Sequence, residues 1–341
     1  MDVVILNSWS AACDDFVQRS PGAKLCHMLA WTHMIENTFG YKGYYLVARD
    51  GDQICGVLPL MRVRSRLFGN RMISQPFSDY GGALVANPAA LEMCYNRAIE
   101  IATQNRCESV EFRNTTALPY DLYMRTDKIS MCLALAQDPQ EVWKGLRHKT
   151  RNRVSKAERE GLVVTSGGQE LLGDFYRVWT ARMHELGTPC YPRRLFSSIM
   201  ETFPDLARIF LAKLNDTTTA VLFAYTFKEW VQCSWGAALR NYDEIGPNYI
   251  LNWGAIEYYC RKGMKWFDFG RSTVGSGQHT FKGRWGASPI DLHWQYWTRP
   301  GGQLQVANPN DGRYRKKIEM WKRMPLWMSR VIGPVISSAL P

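Results

Sequence analysis

The sequence has no apolar run that could cross a bilayer: nothing in its 341 residues approaches the roughly 18 uncharged apolar positions that a membrane helix needs. A basic leader is also missing. The first ten residues, MDVVILNSWS, carry Asp2 and only a short apolar stretch, so no secretory signal is expected and the protein is placed in the cytoplasm. The nine cysteines (13, 26, 55, 94, 107, 132, 190, 233, 260) stand singly, with no CxxC pair and no Cys/His cluster. That spacing predicts reduced, mostly buried thiols and no metal. His184-Glu185 lacks the second histidine of HExxH, and the six histidines show no Ser/His/Asp ordering. Asp268-Phe269-Gly270 spells a kinase triplet, but no glycine-rich ATP loop or HRD element precedes it. Zinc protease, serine hydrolase and kinase are set aside on these grounds.

Acid is the scarcer charge, 31 Asp and Glu against 42 Lys and Arg, and the net charge of +11 is localised. Residues 144–161 hold seven bases against Glu158 and Glu160, and residues 313–330 hold seven against Glu319; these two segments carry the whole excess. Concentrated positive charge attracts phosphate-rich partners such as RNA, nucleotide-linked substrates or an anionic membrane surface. DNA is not expected. Two solvated helix faces are the competing explanation.

What is present is a folded, aromatic-rich chain, 13% Phe, Trp and Tyr, and long enough for two domains or one fold duplicated. In the first half, strands are expected over 44–50, 53–65 and 71–77, joined by tight turns, then a helix after Pro88 and a strand at 109–114. The second half repeats that order with strands at 206–214, 220–227 and 231–238, a helix over 247–264 and a strand at 265–270. The duplication lies in the architecture, with little identity between the copies. Between the halves, residues 138–162 predict one basic helix with Asp138 as N-cap, Pro139 at its first position and Gly161 at its end. Trp143, Leu146, Thr150, Val154 and Ala157 share its inner face, which displays His148, Lys149, Arg153, Lys156 and Arg159 on the other. A further helix is expected at 169–186, followed by an irregular loop at 187–194 in which Tyr191 borders a groove. The C-terminal 313–341 interleaves bases with Trp321, Met324, Trp327, Met328, Val331 and Ile332. That pattern suits a helix lying in a membrane interface, with packing onto the protein body as the alternative.

Residues 266–286, WFDFGRSTVGSGQHTFKGRWG, are the most informative stretch. An alternating aromatic strand enters a glycine-rich polar loop that presents Phe281-Lys282 and Trp285-Gly286. An ammonium held beside aromatic rings could stabilise the charge that develops in acyl transfer. A core strand followed by a solvated loop is the other reading of the same residues.

The ordered set RxKTRNRxxKAExEGL, FDFGRS…GSG…TFK..WG, FSDYGG (77–82), LGTPCYP (186–192) and the WKRMPL…IGP tail (321–334) resembles the FemAB-like branch of the GNAT acyltransferase superfamily. Within it, the set is most similar to Fem-type proteins associated with PEP-CTERM and exopolysaccharide systems. The resemblance covers nearly the whole chain. It implies an α/β (α+β) fold of tandem GNAT-like domains, each a mixed, mostly antiparallel sheet flanked by helices: an N-terminal domain at 1–137, a C-terminal domain at 138–312 opening with the basic helix, and a basic amphipathic segment at 313–341.

The implied activity is transfer of an acyl or aminoacyl group to an amine or hydroxyl of a cell-envelope or exopolysaccharide precursor. The donor would be acyl-CoA or aminoacyl-tRNA, with no metal. Lys282 becomes the main catalytic candidate, joined by Asp79 as a possible base and His279 as a proton-transfer partner. Arg147, Lys149, Arg151 and Arg153 would face the acidic donor, because a guanidinium binds two phosphate oxygens at once. Tyr80 would line the acceptor site. Tyr191, Trp235, Asn248, Arg271, Ser272, Phe281 and Trp285 complete the expected substrate-binding set. The location implied is the cytoplasm, with peripheral contact to the inner membrane face through 313–341.

Two departures are visible. No R/QxxGxG/A phosphate loop precedes the 247–264 helix, which weakens a CoA assignment without excluding it. No helical-hairpin insertion like the coiled-coil arm of some Fem transferases is present, which puts tRNA use in doubt. Two alternatives stay open: a CoA-dependent N-acyltransferase acting on a small amine or nucleotide sugar, and a non-catalytic RNA- or membrane-binding module on a decayed transferase fold.

Overall fold

The computed structural model describes residues 1–65, 68–302, 304 and 312–339, with the side chains of 312–314 left out. Residues 340 and 341 of the expected C-terminal segment lie outside the described residues. The described residues form two compact units, the first made of 1–128 with 291–302, 304 and 339, the second of 129–290 with 312–338. Residues 129–137 fold with the second unit and residues 291–302 with the first, where the sequence predicted single cuts after 137 and 312.

The first unit contains β1 (Asp2–Leu6), α1 (Ala11–Arg19), α2 (Leu29–Phe39), β2 (Lys42–Asp50), β3 (Gln53–Ser65), β4 (Gly69–Ile73), β5 (Leu84–Val85), α3 (Pro88–Gln104), β6 (Ser109–Asn114) and β7 (Tyr123–Arg125). The second contains β8 (Lys128–Ala134), α4 (Pro139–Gly145), α5 (His148–Arg159), β9 (Leu162–Gly167), α6 (Leu172–Leu186), α7 (Arg193–Thr202), β10 (Ala207–Leu214), β11 (Thr217–Phe227), β12 (Trp230–Ala238), α8 (Pro247–Arg261), β13 (Trp266–Thr273), α9 (Gly277–Gly283) and β14 (Ser288–Asp291). The chain then adds β15 (His293–Thr298) to the first sheet and closes with α10 (Gly312–Arg323) and α11 (Leu326–Ala339).

The first sheet has the order β1-β2-β3-β4-β6-β15-β7, with β5 on β3; the second has the order β14-β8-β13-β12-β11-β10-β9. Each sheet mixes antiparallel pairs with a parallel pair reached through a helix, β4 with β6 across α3 and β12 with β13 across α8. In the second unit, Trp143, Tyr258, Tyr259 and the α8 residues Ile250, Trp253 and Ile256 bury one sheet face with Phe210 and Phe267. On the other face Phe175 of α6 and Phe196 of α7 meet Phe223 and Trp235. In the first unit Ala90, Cys94, Ala98 and Ile101 of α3 pack on Leu46, Leu58, Leu60 and Met72. Small residues on this helix let it approach the sheet closely, and burial of the leucine and methionine side chains beneath it contributes about 1.5–3 kcal/mol each.

Four expectations are corrected. The helix over 138–162 is two helices, because Leu146 and Arg147 are extended at ψ 144 and 140. The Arg151 guanidinium occupies the carbonyls freed at that break, those of Trp143, Lys144 and Leu146. The strand expected at 71–77 ends at Ile73, because Gln75 and Phe77 take positive φ of 60 and 62 on either side of Pro76, which has no N–H to donate to a ladder. The loop expected after β13 contains α9, capped by the Ser276 side chain, which accepts from the His279 amide. The C-terminal segment is two helices rather than one, broken at Met324-Pro325, where proline disfavours a helical residue before it. No helix among the described residues is long and apolar enough to cross a membrane.

Candidate active site

Strands β12 and β13 are registered over three pairs only: Trp230↔Trp266, Val231↔Phe267 and Gln232↔Asp268. Beyond Gln232, β12 keeps its ladder with β11 on the far side as far as Ala238↔Ala220, but among the described residues it has no partner strand on the β13 side. Two central strands that part in this way leave backbone N–H and C=O groups facing a wedge, a natural seat for an extended ligand that carries amides.

A buried polar cluster stands where the strands separate. Asp268 is fully buried, and its Oδ1 accepts from the Ser130 hydroxyl at 2.6 Å and from the Gly270 amide at 2.8 Å. Gly270 has φ 73, a left-handed conformation that kinks β13 there. The Lys282 ammonium donates to the Gly270 carbonyl at 2.7 Å and the Arg271 carbonyl at 2.9 Å, tying α9 to the kinked strand. Burial pushes the Cys233 thiol well above its usual value; the Asp268 carboxylate adds to the rise and Lys282 opposes it. The thiol is therefore a neutral wall of the cluster. Among the described residues, the buried Ser272 hydroxyl and the Gln232 Nε2 have no hydrogen-bond partner.

The first turn of α8 forms a second region. Gly246, at φ 77, precedes Pro247 and ends a tight turn over Arg240–Ile245. From α5, Arg153 donates to the Asp243 carbonyl at 2.9 Å and Lys156 to the Glu244 carbonyl at 3.0 Å. The Arg153 guanidinium lies over the Tyr249 ring at 5.1 Å, and Arg284 donates to the Tyr249 hydroxyl at 3.3 Å. Phe281 and Trp285 pack on the same ring at 5.3 and 6.1 Å. Three bases thus stand at a helix N-terminus, a position that favours anions. The exposed Asp243 and Glu244 temper that charge.

The structure brings Arg153, Asn248, Phe281 and Trp285 together at α8, and Lys282, Arg271, Ser272 and His279 together at the end of β13. The His279 Nδ1 accepts from the Gly275 amide at 3.0 Å, which leaves Nε2 as the nitrogen that carries the ring N–H. Lys149 on α5 and Arg147 just before it are exposed. Tyr191 packs edge-on to Trp179, and Trp235 is buried among Phe196, Phe223 and Tyr225, both on the α6–α7 side of the sheet. Asp79 and Tyr80 are buried in the first unit, where the Asp79 carbonyl accepts from Trp294 and the Lys24 ammonium lies 5.4 Å from the Tyr80 ring.

Sequence reasoning missed Asp268, Ser130 and Tyr249. The signal for Asp268 was a lone carboxylate inside an apolar strand, where it also completes the kinase-like triplet. Ser130 and Tyr249 carried no signal, because the contacts that single them out span 138 and 35 residues of sequence.

A mixed sheet whose central parallel strands part over a helix N-terminus defines an acyltransferase-type α/β fold, present here twice as tandem GNAT-like domains. Residues 144–283 match the acetyltransferase (GNAT) domain family, a stretch that contains both the wedge and the α8 terminus. Among solved structures, FemX superposes with a TM-score of 0.68 at 13% identity, covering 88% of this chain and 98% of FemX. The C-terminal domain (DUF2156) of a putative lysylphosphatidylglycerol synthetase from Agrobacterium fabrum gives 0.56 at 10% identity, covering 85% and 92%. A tandem GNAT protein from the clavulanic acid biosynthesis pathway gives 0.50 at 13% identity, covering 89% and 99%. No curated protein sequence matches the chain. The fold is shared with FemX and with the tandem GNAT protein.

Proposed function

We propose that this protein transfers an acyl or aminoacyl group to an amine, or a hydroxyl, of a cell-envelope or exopolysaccharide precursor, working in the cytoplasm or at the inner membrane face. The observation that carries this reading is the parted β12/β13 pair inside the GNAT-matching stretch, with a lysine fixed at its edge. The donor is a phosphate-bearing thioester or ester, acyl-CoA or aminoacyl-tRNA, whose acyl arm lies along the wedge while its phosphates meet the α8 amides, Arg153, Lys156 and Arg284. The name of the Agrobacterium neighbour, a putative lysylphosphatidylglycerol synthetase, is in keeping with aminoacyl chemistry on an envelope component.

In the proposed step the acceptor nitrogen attacks the acyl carbonyl carbon, the C=O pair moves onto oxygen, and the tetrahedral adduct collapses by expelling the thiolate or the ribose oxygen. The proton lost by the amine goes to water, and the leaving group is protonated by water, with the Nε2–H of His279 as the proposed hydrogen-bond donor to it. Lys282 supplies positive charge where the oxyanion develops, held in place by its carbonyl bonds so that little reorganisation is needed. Losing one such stabiliser costs about 10²–10³ in turnover.

Thermal-shift measurements with acetyl-CoA, longer acyl-CoAs and total charged tRNA identify the donor class, which is expected to raise Tm. Turnover of Lys282→Met with that donor is expected to fall by about 10²–10³-fold while Tm with donor still rises. Turnover equal to the parent in Lys282→Met sinks the assignment.

A further inference from the structure

We propose that the outer face of α11 docks on an anionic phospholipid bilayer, holding the protein in the plane of a membrane surface. This inference is independent of the transfer reaction proposed above. Helix α11 has two opposite faces. Ser329, Gly333 and Ser337, four residues apart, are buried against the loop after α6: the Ser337 hydroxyl donates to the Cys190 carbonyl at 2.9 Å, and a side chain at Gly333 would meet the Cys190 sulfur. Arg330 fixes the same side through the Thr180 hydroxyl at 3.0 Å. The residues two positions on from the small ones lie about 200° round the helix. Trp327, Val331 and Val335 occupy that outer line at 67%, 65% and 72% exposure. A helix that anchors itself through serine and glycine while turning Trp and Val to solvent reverses the usual arrangement.

The charge beside this stripe says what covers it. Helix α11 contains no acid. The preceding α10 exposes Lys316, Lys317, Lys322 and Arg323 against one acid, Glu319, which pairs with Lys322 at 3.3 Å, and it also exposes Met320 at 65%. Apolar side chains flanked by bases, with a tryptophan among them, match the boundary between acyl chains and anionic headgroups. At 14 residues α11 is shorter than the roughly 20 needed to span, so it lies in the surface plane. A second copy is a poorer occupant: a two-fold pair would set the basic α10 segments near each other, and a single stripe falls short of the roughly 800 Å² per partner that a stable interface buries.

The test is cosedimentation of the full chain with vesicles of phosphatidylcholine alone and with phosphatidylglycerol added. Strong binding is expected only with phosphatidylglycerol, weakening as salt is raised. The double variant Trp327→Ser/Val331→Ser and the double variant Lys322→Gln/Arg323→Gln are each expected to weaken it by about tenfold or more. All four positions are exposed, and unchanged thermal unfolding of each variant shows that the fold is kept. Absence of parent binding to phosphatidylglycerol vesicles overturns the proposal, as does binding that the Trp327/Val331 variant leaves intact. A parent dimer in sedimentation velocity that this variant converts to monomer, without vesicle binding, assigns the stripe to a second copy instead.

Discussion

In the first unit the parallel strands β4 and β6 are registered for three pairs, Arg71↔Ser109, Met72↔Val110 and Ile73↔Glu111, and β12 and β13 in the second unit are registered for three as well. Past that point the two units differ. The edge of β6 is met by the chain itself: the Ser74 amide donates to the Glu111 carbonyl, the Arg113 amide donates to the Ser74 hydroxyl, and the Gly82 amide donates to the Arg113 carbonyl. Residues 74–82 are all buried there, and a side chain at Gly82 would collide with Asn114. The Arg113 guanidinium clamps this plug by donating to the Gln75 and Ser78 carbonyls while pairing with Glu111 at 2.7 Å. Among the described residues the second unit has no plug strand on β12 and carries a lysine-tied helix at the edge instead. One architecture used twice thus yields one self-sealed wedge and one open wedge, which is why the proposed donor site is assigned to the second unit. It also gives the buried FSDYGG segment a structural task that a loop of those residues did not announce.

The largest effect is expected from breaking the seal. Arg113 is 4% exposed and Glu111 8%, so Arg113→Met leaves a buried carboxylate unpaired and two carbonyls without donors. Removing one partner of a buried ion pair costs about 3–5 kcal/mol. Urea unfolding should show a loss of that size, and hydrogen exchange should quicken at residues 74–82 while residues 230–238 are unaffected. A loss below about 1 kcal/mol would show that the clamp does not hold the plug.

A somewhat smaller effect, and one that acid controls, comes from His27. Its Nδ1 accepts the Lys24 amide at 2.9 Å and its Nε2 donates to the Gly82 carbonyl at 3.2 Å, the last residue of the plug. Burial lowers its pKa to about 4 from an ordinary 6.5. Because the folded value is depressed for a base, the neutral ring is favoured in the folded state. The stability it contributes is therefore complete above pH 6.5 and is lost as pH falls toward 4. The difference corresponds to about 3 kcal/mol. Protonation would also turn Nδ1 into a donor facing the Lys24 N–H. In His27→Ala the slope of stability between pH 6.5 and 4 should flatten relative to the parent; equal slopes would show that some other group governs acid sensitivity.

Much of this layout was legible in the sequence. Helix α3 announced itself through Pro88, helix α8 through Pro247, and the strands of both meanders through their alternation and turns. The Asp138 cap and the left-handed Gly161 stand as the residue types required. What could not be read depends on long-range pairing. Strand β15 reads like any short aromatic strand, yet it hydrogen-bonds to β6 about 180 residues earlier in the chain, and β8 joins the sheet that follows it rather than the one that precedes it. Lys282 drew notice through its glycine-rich surroundings, but its grip on the carbonyls of residues 270 and 271 follows from a helix that seven residues, two of them glycine, hardly predict.

That short helix sets the smallest test. Ser276 caps α9 by accepting from the His279 amide at 3.2 Å, and Lys282 ties the other end to β13. A seven-residue helix has too few internal bonds to hold itself, so its two anchors share the load. Loss of a serine cap costs about 1 kcal/mol. If the open wedge depends on α9 holding Lys282 at its edge, Ser276→Ala should quicken hydrogen exchange over 277–283 about fivefold while leaving global unfolding almost unchanged, and Ser276→Asp, which keeps an acceptor at the helix start, should restore the parent rate. Exchange that is the same in Ser276→Ala as in the parent would mean that the bonds of Lys282 alone fix the helix. The contrast between the two units would then rest on that single side chain in the second and on the Arg113 clamp in the first.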